Sequence, residues 1–146
     1  MKIITKRLVG FSDLVIENGH IQSKPINEQC SLLQLKSITG KEEAFCFYDK
    51  NDQDILVCHV GITDKREKFE VTYGTVEKFR NRGYMSEALD GFVNFVFAET
   101  NEPIIWALPN GAISQHVLEK CKFKYVCEEN GIKWFARKRE NDVEIG

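Results

Sequence analysis

Apolar and polar positions along this chain alternate with a period of two over its middle and switch to a helical period in a few places. The runs "EEAFCFYD" (42–49), "QDILVCHVGIT" (53–63) and "KFEVTYGTV" (68–76) are rich in β-branched and aromatic residues. They are separated by the turn-forming clusters "DKND" and "DKREK", which predicts an antiparallel meander of three strands. In "FRNRGYMSEALDGFVNFVF" (79–97), Met85, Ala88, Leu89, Phe92, Val93 and Val96 then recur at helical spacing. "PIIWAL" (103–108) reads as a short buried strand. "SQHVLEKC" (114–121) reads as an amphipathic helix with Ile113, Val117, Leu118 and Cys121 on one face. "FKYVCEENGIKWFARK" (123–138) reads as a hairpin turned at "ENG".

The first forty residues carry weaker patterns. "KIITKRLVG" (2–10) predicts one strand. "FSDLVIENGHIQSK" (11–24) predicts a short helix capped by Ser12 and Asp13 and ended by Gly19. Residues 25–40 predict a second helix with Asn27 as N-cap. The order is thus strand, helices, three strands, helix, strand, helix, hairpin. The crossover from 68 to 108 requires a parallel pair inside an otherwise antiparallel sheet. The expectation is a single α+β domain over 1–146, a mixed, mostly antiparallel twisted sheet flanked by helices.

Composition narrows the function only by exclusion. With 42% hydrophobic and 29% charged residues and a net charge of -2, the chain has the balance of a globular protein and no basic surface suited to nucleic acid. The basic stretch "ARKREN" (136–141) reads as a short solvated charge run. The amino terminus lacks a secretory pattern, and no window approaches the roughly 18 apolar residues of a membrane span, so a cytoplasmic location with no membrane partner is expected. Five cysteines (30, 46, 58, 121 and 127) without a CxxC pair read as buried, reduced thiols. Cys58 and His59 are adjacent on a strand and point to opposite faces, which argues against a nucleophile–base pair. No His/Cys/Asp cluster has metal-ligand spacing.

The candidate chemistry lies where the third strand meets the apolar helix. A helix start presents unpaired N–H groups and about half a positive charge, which makes it an anion site. Gly83 removes a Cβ there, and Arg80 and Arg82 add positive charge, so the junction can cradle a phosphate or pyrophosphate. The competing reading is a helix whose first turn simply holds arginines. The Walker pattern GxxxxGK[ST] is absent.

The longer string "FEVTYGTVEKFRNRGYMSEAL" (69–89) resembles the core of the GCN5-related N-acetyltransferase (GNAT) family, in particular its branch of ribosomal-protein and antibiotic acetyltransferases. The family's pyrophosphate loop, Q/R-x-x-G-x-G/A, corresponds to Arg80-Asn81-Arg82-Gly83-Tyr84-Met85, with Met85 in place of a small residue. Glu70 and Tyr73 stand at the branch's E-x-G-Y, with Thr72 replacing glycine. Downstream, "NGAISQHVLEKCKF" (110–123) is similar to N-x-x-S-x-x-V-L-E-K-L-G-F, but Asn110 lies one residue upstream of the family position and Lys122 replaces a glycine. The resemblance covers 42–138 well and 1–41 poorly.

The resemblance implies that acetyl-CoA is the acetyl-donor cosubstrate and a primary amine the acceptor, attacking directly in a ternary complex. The acceptor would be a small-molecule amine or a peptide or protein amino terminus, and the protein a monomer or homodimer. Backbone N–H groups of Asn81, Arg82, Gly83, Tyr84, Met85 and Ser86 would bind the pyrophosphate, with Arg80 and Arg82 assisting and Asn110 a further candidate. The pantetheine arm would run beside Gly74, Thr75 and Val76 like an added strand, with a backbone N–H near Val76 facing the thioester oxygen. Glu70 is the candidate base through water, or else an exposed strand carboxylate paired with Lys68 or Arg66. Glu77, past the strand end, is the weaker candidate base. Many family members place a tyrosine on the second helix to protonate the thiolate. This chain has Leu118 there, and Ser114 is the candidate donor, or else a helix cap. His59 reads as a strand residue and His116 as an outward polar one. A CoA-binding module without catalysis is the alternative in a different functional class.

Overall fold

The period-two runs form the centre of one sheet. The computed structural model describes residues 1–12, 15–17, 19–22, 43–63, 68–109 and 112–140. Its strands are β1 (Lys2–Ile4), β2 (Leu8–Phe11), β3 (Val15–Glu17), β4 (His20–Gln22), β5 (Glu43–Asp49), β6 (Leu56–Thr63), β7 (Glu70–Thr75), β8 (Ile104–Ala107), β9 (Lys124–Glu129) and β10 (Ile132–Lys138). Two helices, α1 (Tyr84–Glu99) and α2 (Ala112–Lys120), lie among them, and a 3-10 turn spans Glu77–Phe79. The eight-stranded sheet runs β1-β2-β5-β6-β7-β8-β10-β9, and β3-β4 form a separate hairpin. Every pairing is antiparallel except β7–β8, the parallel pair that the α1 crossover requires.

Helix α1 forms because its apolar residues share one face, and all six residues predicted from the spacing are buried. They pack on Phe45, Phe47, Val57, Val60, Val71 and Ile105 of the sheet. Phe45 meets Phe92 and Phe95 edge-on, with ring centroids 5.8 and 5.3 Å apart. Leu118 of α2 and Cys121 just after it close the same core. No helix among the described residues is long and apolar enough to cross a membrane.

Three expectations need correction. Residues 2–10 are not one strand but a hairpin, because the Thr5 hydroxyl accepts the Leu8 N–H at 3.1 Å and Thr5 N–H bonds the Leu8 carbonyl at 2.9 Å. Residues 15–22 are a hairpin and not a helix. Ile16 pairs with Ile21 and Glu17 with His20 across the Asn18-Gly19 step, whose sequence is a strong hairpin signal, and Gly19 takes φ +79. The basic stretch is only partly solvated: Lys138 is exposed, but both arginines are structural. Arg137 is buried, bonding the Cys121 carbonyl at 3.0 Å and Asp90 at 3.3 Å, while Arg139 bonds the Thr100 and Glu102 carbonyls at 2.7 and 3.0 Å beyond the end of α1. The helix expected over 25–40 lies outside the described residues, as do Cys30, Arg66 and Asn110. Cys46, Cys58 and Cys121 are buried cysteines outside any disulfide, whereas Cys127 on the outer strand β9 is only partly covered.

Candidate active site

The parallel pair does not run the length of β7. Its register is Glu70↔Trp106 and Val71↔Ala107, where β8 ends, while β7 continues to Thr75. The two strands therefore part after Val71, and α2, which follows β8, stands across the opening from β7. An antiparallel ladder alternates its bonding direction residue by residue. Because the Val76 N–H bonds the Val57 carbonyl at 2.8 Å, the N–H groups of Gly74 and Thr72 also face β6. Those of Tyr73 and Thr75 face the opening. The expected N–H near Val76 is therefore not that of Val76 itself, which is committed to β6, but can be that of Thr75.

The opening is a cleft of about 700 Å³ between the end of β7, the start of α1 and α2. Gly74 and Thr75 line it, as do Arg80, Asn81 and Gly83 from the loop and Tyr84, Met85 and Ser86 from the first turn of α1. Val76, Arg82 and Glu70 are not on its wall. Opposite stand Ser114, His116, Val117 and Lys120 of α2. His116 is exposed as expected, but at the cleft rim.

The loop owes its shape to two left-handed residues, Asn81 at φ 65 and Gly83 at φ 79. Gly83 is the N-cap of α1, and its carbonyl accepts the Glu87 N–H at 3.1 Å. A Cβ on Gly83 would meet only the Arg7 Nη2 at 3.6 Å, an ordinary contact, so backbone hand rather than clearance requires glycine there. Gly74 has a different reason: a Cβ would come within 2.7 Å of His59 Nε2. His59 is buried on β6 beneath it, as a strand residue. Arg80 folds back, its Nε bonding the Thr75 carbonyl at 3.2 Å at the mouth of the cleft.

One part of the site was not legible in the sequence. Glu87, in the first turn of α1, receives the Thr5 hydroxyl, the Arg7 N–H at 2.8 Å and the Arg7 Nε at 2.8 Å. Arg7 Nη1 also bonds the Arg82 carbonyl at 3.1 Å, and the guanidinium lies 4.0 Å from the centroid of the Tyr84 ring. The β1–β2 turn thus clamps the loop before α1 from outside. Burial raises the Glu87 pKa, but the Thr5 and Arg7 hydrogen bonds and the Arg7 charge outweigh it and hold the carboxyl below its usual range. Nothing local marks a contact between residues some 80 positions apart.

Tyr73 was also missed, although it sits inside the recognised string. Alternation along β7 puts it on the face of Val71 and Thr75, towards α2. Its hydroxyl lies 2.6 Å from Ser114 Oγ and 3.2 Å from the Ser114 carbonyl. Burial, partly offset by the Ser114 hydrogen bond, pushes the phenol up to about 12. Ser114 is the third residue of α2, inside the first turn and not at its cap position, which removes the capping alternative. Leu118 is fully buried in the core. Glu70 is buried on the opposite face of β7 from Tyr73 and not exposed, and Lys68 lies over the Trp106 and Trp134 rings. Glu77, in the 3-10 turn, is exposed. Burial pushes the Cys58 thiol well above its usual range and the Cys121 thiol up to about 12. Among the described residues no group of His, Cys, Asp and Glu could hold a metal ion.

Comparison with known proteins adds an independent line. Residues 21–124 match the family model described as an acetyltransferase (GNAT) domain. The chain is similar in structure to the acetyltransferase (GNAT family) from Bacillus anthracis, at TM-score 0.66 and 18% identity over 97% of this chain and 100% of that one. It is similar to the ribosomal-protein-S5-alanine acetyltransferase from Vibrio fischeri, at TM-score 0.61 and 16% identity over 97% and 98% of the two chains. Mycobacterium smegmatis RimJ in complex with CoA-disulfide gives TM-score 0.53 and 18% identity over 76% and 59%. A search of curated proteins finds no match. At these identities the structural likeness speaks for the fold.

Proposed function

The chain belongs to the GNAT acetyltransferase family, and on that premise we propose that it transfers the acetyl group of acetyl-CoA to a primary amine by direct attack in a ternary complex. The observation that carries the reading is the cleft itself, a half-free strand edge leading straight into a left-handed loop and a helix N-terminus. A thioester arm fits the outward edge of β7 through the N–H groups of Tyr73 and Thr75 and the Tyr73 C=O, the Thr75 carbonyl already accepting Arg80 Nε at 3.2 Å. A pyrophosphate fits the N–H groups of the loop and of the first turn, residues 81–86, with Arg80 beside it. The outward N–H of Thr75 takes the oxyanion role first assigned near Val76.

The remaining chemistry needs a proton removed from the amine and one supplied to sulfur. Ser114, on the cleft wall, supplies the second. Glu70, the base named from the sequence, is buried on the other face of β7 and off that wall, so the first passes to water in the cleft. Arg82 contributes positive charge from outside the cleft. A peptide amino terminus is the acceptor class to try first, because the Vibrio fischeri protein is named for acetylating a ribosomal-protein alanine. The buried Leu118, at the position where family members carry a phenol, favours one competing reading, a CoA-binding module without turnover.

Calorimetry with CoA and consumption of acetyl-CoA with a mixture of free-amino-terminal peptides and polyamines test both. Saturable CoA binding with amine-dependent thioester loss is expected. Binding without loss would favour the module, and no binding would remove the assignment.

A further inference from the structure

We infer that Tyr73 and Ser114 form a proton relay to the departing CoA sulfur, with Tyr73 acting through Ser114. The inference rests on the acetyl-transfer reading above and names the group that makes Ser114 competent for it. The two hydroxyls come from opposite walls of the cleft, β7 and α2, and meet at 2.6 Å. Both residues line the cleft, and both are partly shielded from water. Leu118 cannot supply a phenol from α2, because it carries none and is fully buried.

The chemistry explains why a lone serine would serve poorly. When the tetrahedral adduct collapses, the C–S bond breaks and its electron pair stays on sulfur. If Ser114 alone gave up its proton, an aliphatic alkoxide would remain, and that is a far stronger base than a phenolate. With Tyr73 hydrogen-bonded to it, the Ser114 O–H breaks as S–H forms, and the Tyr73 proton passes to Ser114 Oγ in the same movement. The negative charge then rests on the phenol oxygen, which regains a proton from water in the cleft. The amine's proton leaves separately to water in the cleft, so one amine and one thioester give one amide and one thiol. The Tyr73 phenol carries its proton at neutral pH, and the Ser114 hydrogen bond favours its release while burial opposes it. The phenol has a single proton, which can go to the Ser114 carbonyl at 3.2 Å or to Ser114 Oγ at 2.6 Å, and the relay uses the second orientation.

A purely structural tie between β7 and α2 makes different predictions. Tyr73→Phe, Ser114→Ala and the double variant are compared with the native protein, using the amine mixture above as acceptor. Acetyl-CoA serves as one donor and p-nitrophenyl acetate, whose leaving group departs as a stable anion, as the other. With acetyl-CoA, each single variant is expected to lose about tenfold or more in kcat with little change in KM, and the double variant to lose no more than the worse single. With p-nitrophenyl acetate, all three are expected near native rates. Thermal melts of each variant separate misfolding from lost chemistry, because a misfolded variant fails with both donors. Native kcat in Tyr73→Phe, losses that multiply in the double variant, or equal losses with both donors would overturn the relay and leave the acetyltransferase reading intact. A native protein that consumes no acetyl-CoA with any amine would overturn the function, and the relay with it.

Discussion

Replacing Gly83 separates backbone hand from ligand clearance. The residue sits at φ 79, ψ 3, and a Cβ would make only an ordinary contact with Arg7 Nη2 at 3.6 Å. Gly83→Ala therefore costs what the left-handed region costs an L-residue, about 1–2 kcal/mol. In a domain of this size each kcal/mol lowers Tm by roughly 2–4 °C, so a drop of roughly 2–8 °C is expected. Gly83→Val, β-branched, should fall at or beyond the upper end. If the loop instead relaxes to negative φ, the N–H groups at the start of α1 turn away. Losing one charge-assisted bond to a pyrophosphate, about 1.5–3 kcal/mol, would then weaken CoA binding by roughly tenfold or more. Gly83→Asn should recover most of both losses, because asparagine tolerates this conformation and Asn81 already adopts it at φ 65. Thermal melts and calorimetry with CoA read the two quantities separately. Native Tm and affinity in Gly83→Val would refute the reasoning. So would an asparagine variant as impaired as the valine one, which would mean that clearance and not hand decides.

Three further outcomes follow from the same contacts. Glu87 has a folded pKa held below its unfolded value near 4.5, so the stability it adds is present above that pH and disappears as pH falls through the folded value. Melts from pH 7 down to 3 should show Glu87→Gln less stable than native at neutrality and converging on it in acid; a constant difference would remove the clamp's electrostatic part. Gly74→Ala should cost about 1–3 kcal/mol, because its Cβ would sit 2.7 Å from His59 Nε2, and the cost should largely vanish in a His59→Ala background, read from a double-mutant cycle of denaturant midpoints. Of the described cysteines, Cys127 should react with a thiol reagent in the native state, while buried Cys46, Cys58 and Cys121 react only on unfolding, and none should carry acetyl by mass spectrometry when acetyl-CoA is added alone.

Local periodicity and loop chemistry determined more of this protein than any contact did. The meander, α1 with its six buried residues, β8, α2 and the final hairpin all follow from spacing, because burial on one face imposes a period of two on a strand and 3.6 on a helix. The left-handed loop at the start of α1 was a candidate for a similar reason: a glycine and arginines at a helix start are a local signal. Where the signal is a turn, a misread step changes the element, as Asn18-Gly19 turned an expected helix into a hairpin. Tertiary structure alone decided which way each backbone group faces. An N–H near Val76 was assigned to the ligand, and the register with Val57 commits that of Val76 to β6 and turns that of Thr75 outward. It also decided which side chains meet: Tyr73 with Ser114, 41 positions apart, and Arg7 with Glu87, 80 apart. Sequence spacing carries no distance between such residues. That distance exists only once β7 and β8 part, α2 closes over the gap, and the β1–β2 turn comes to rest on the start of α1.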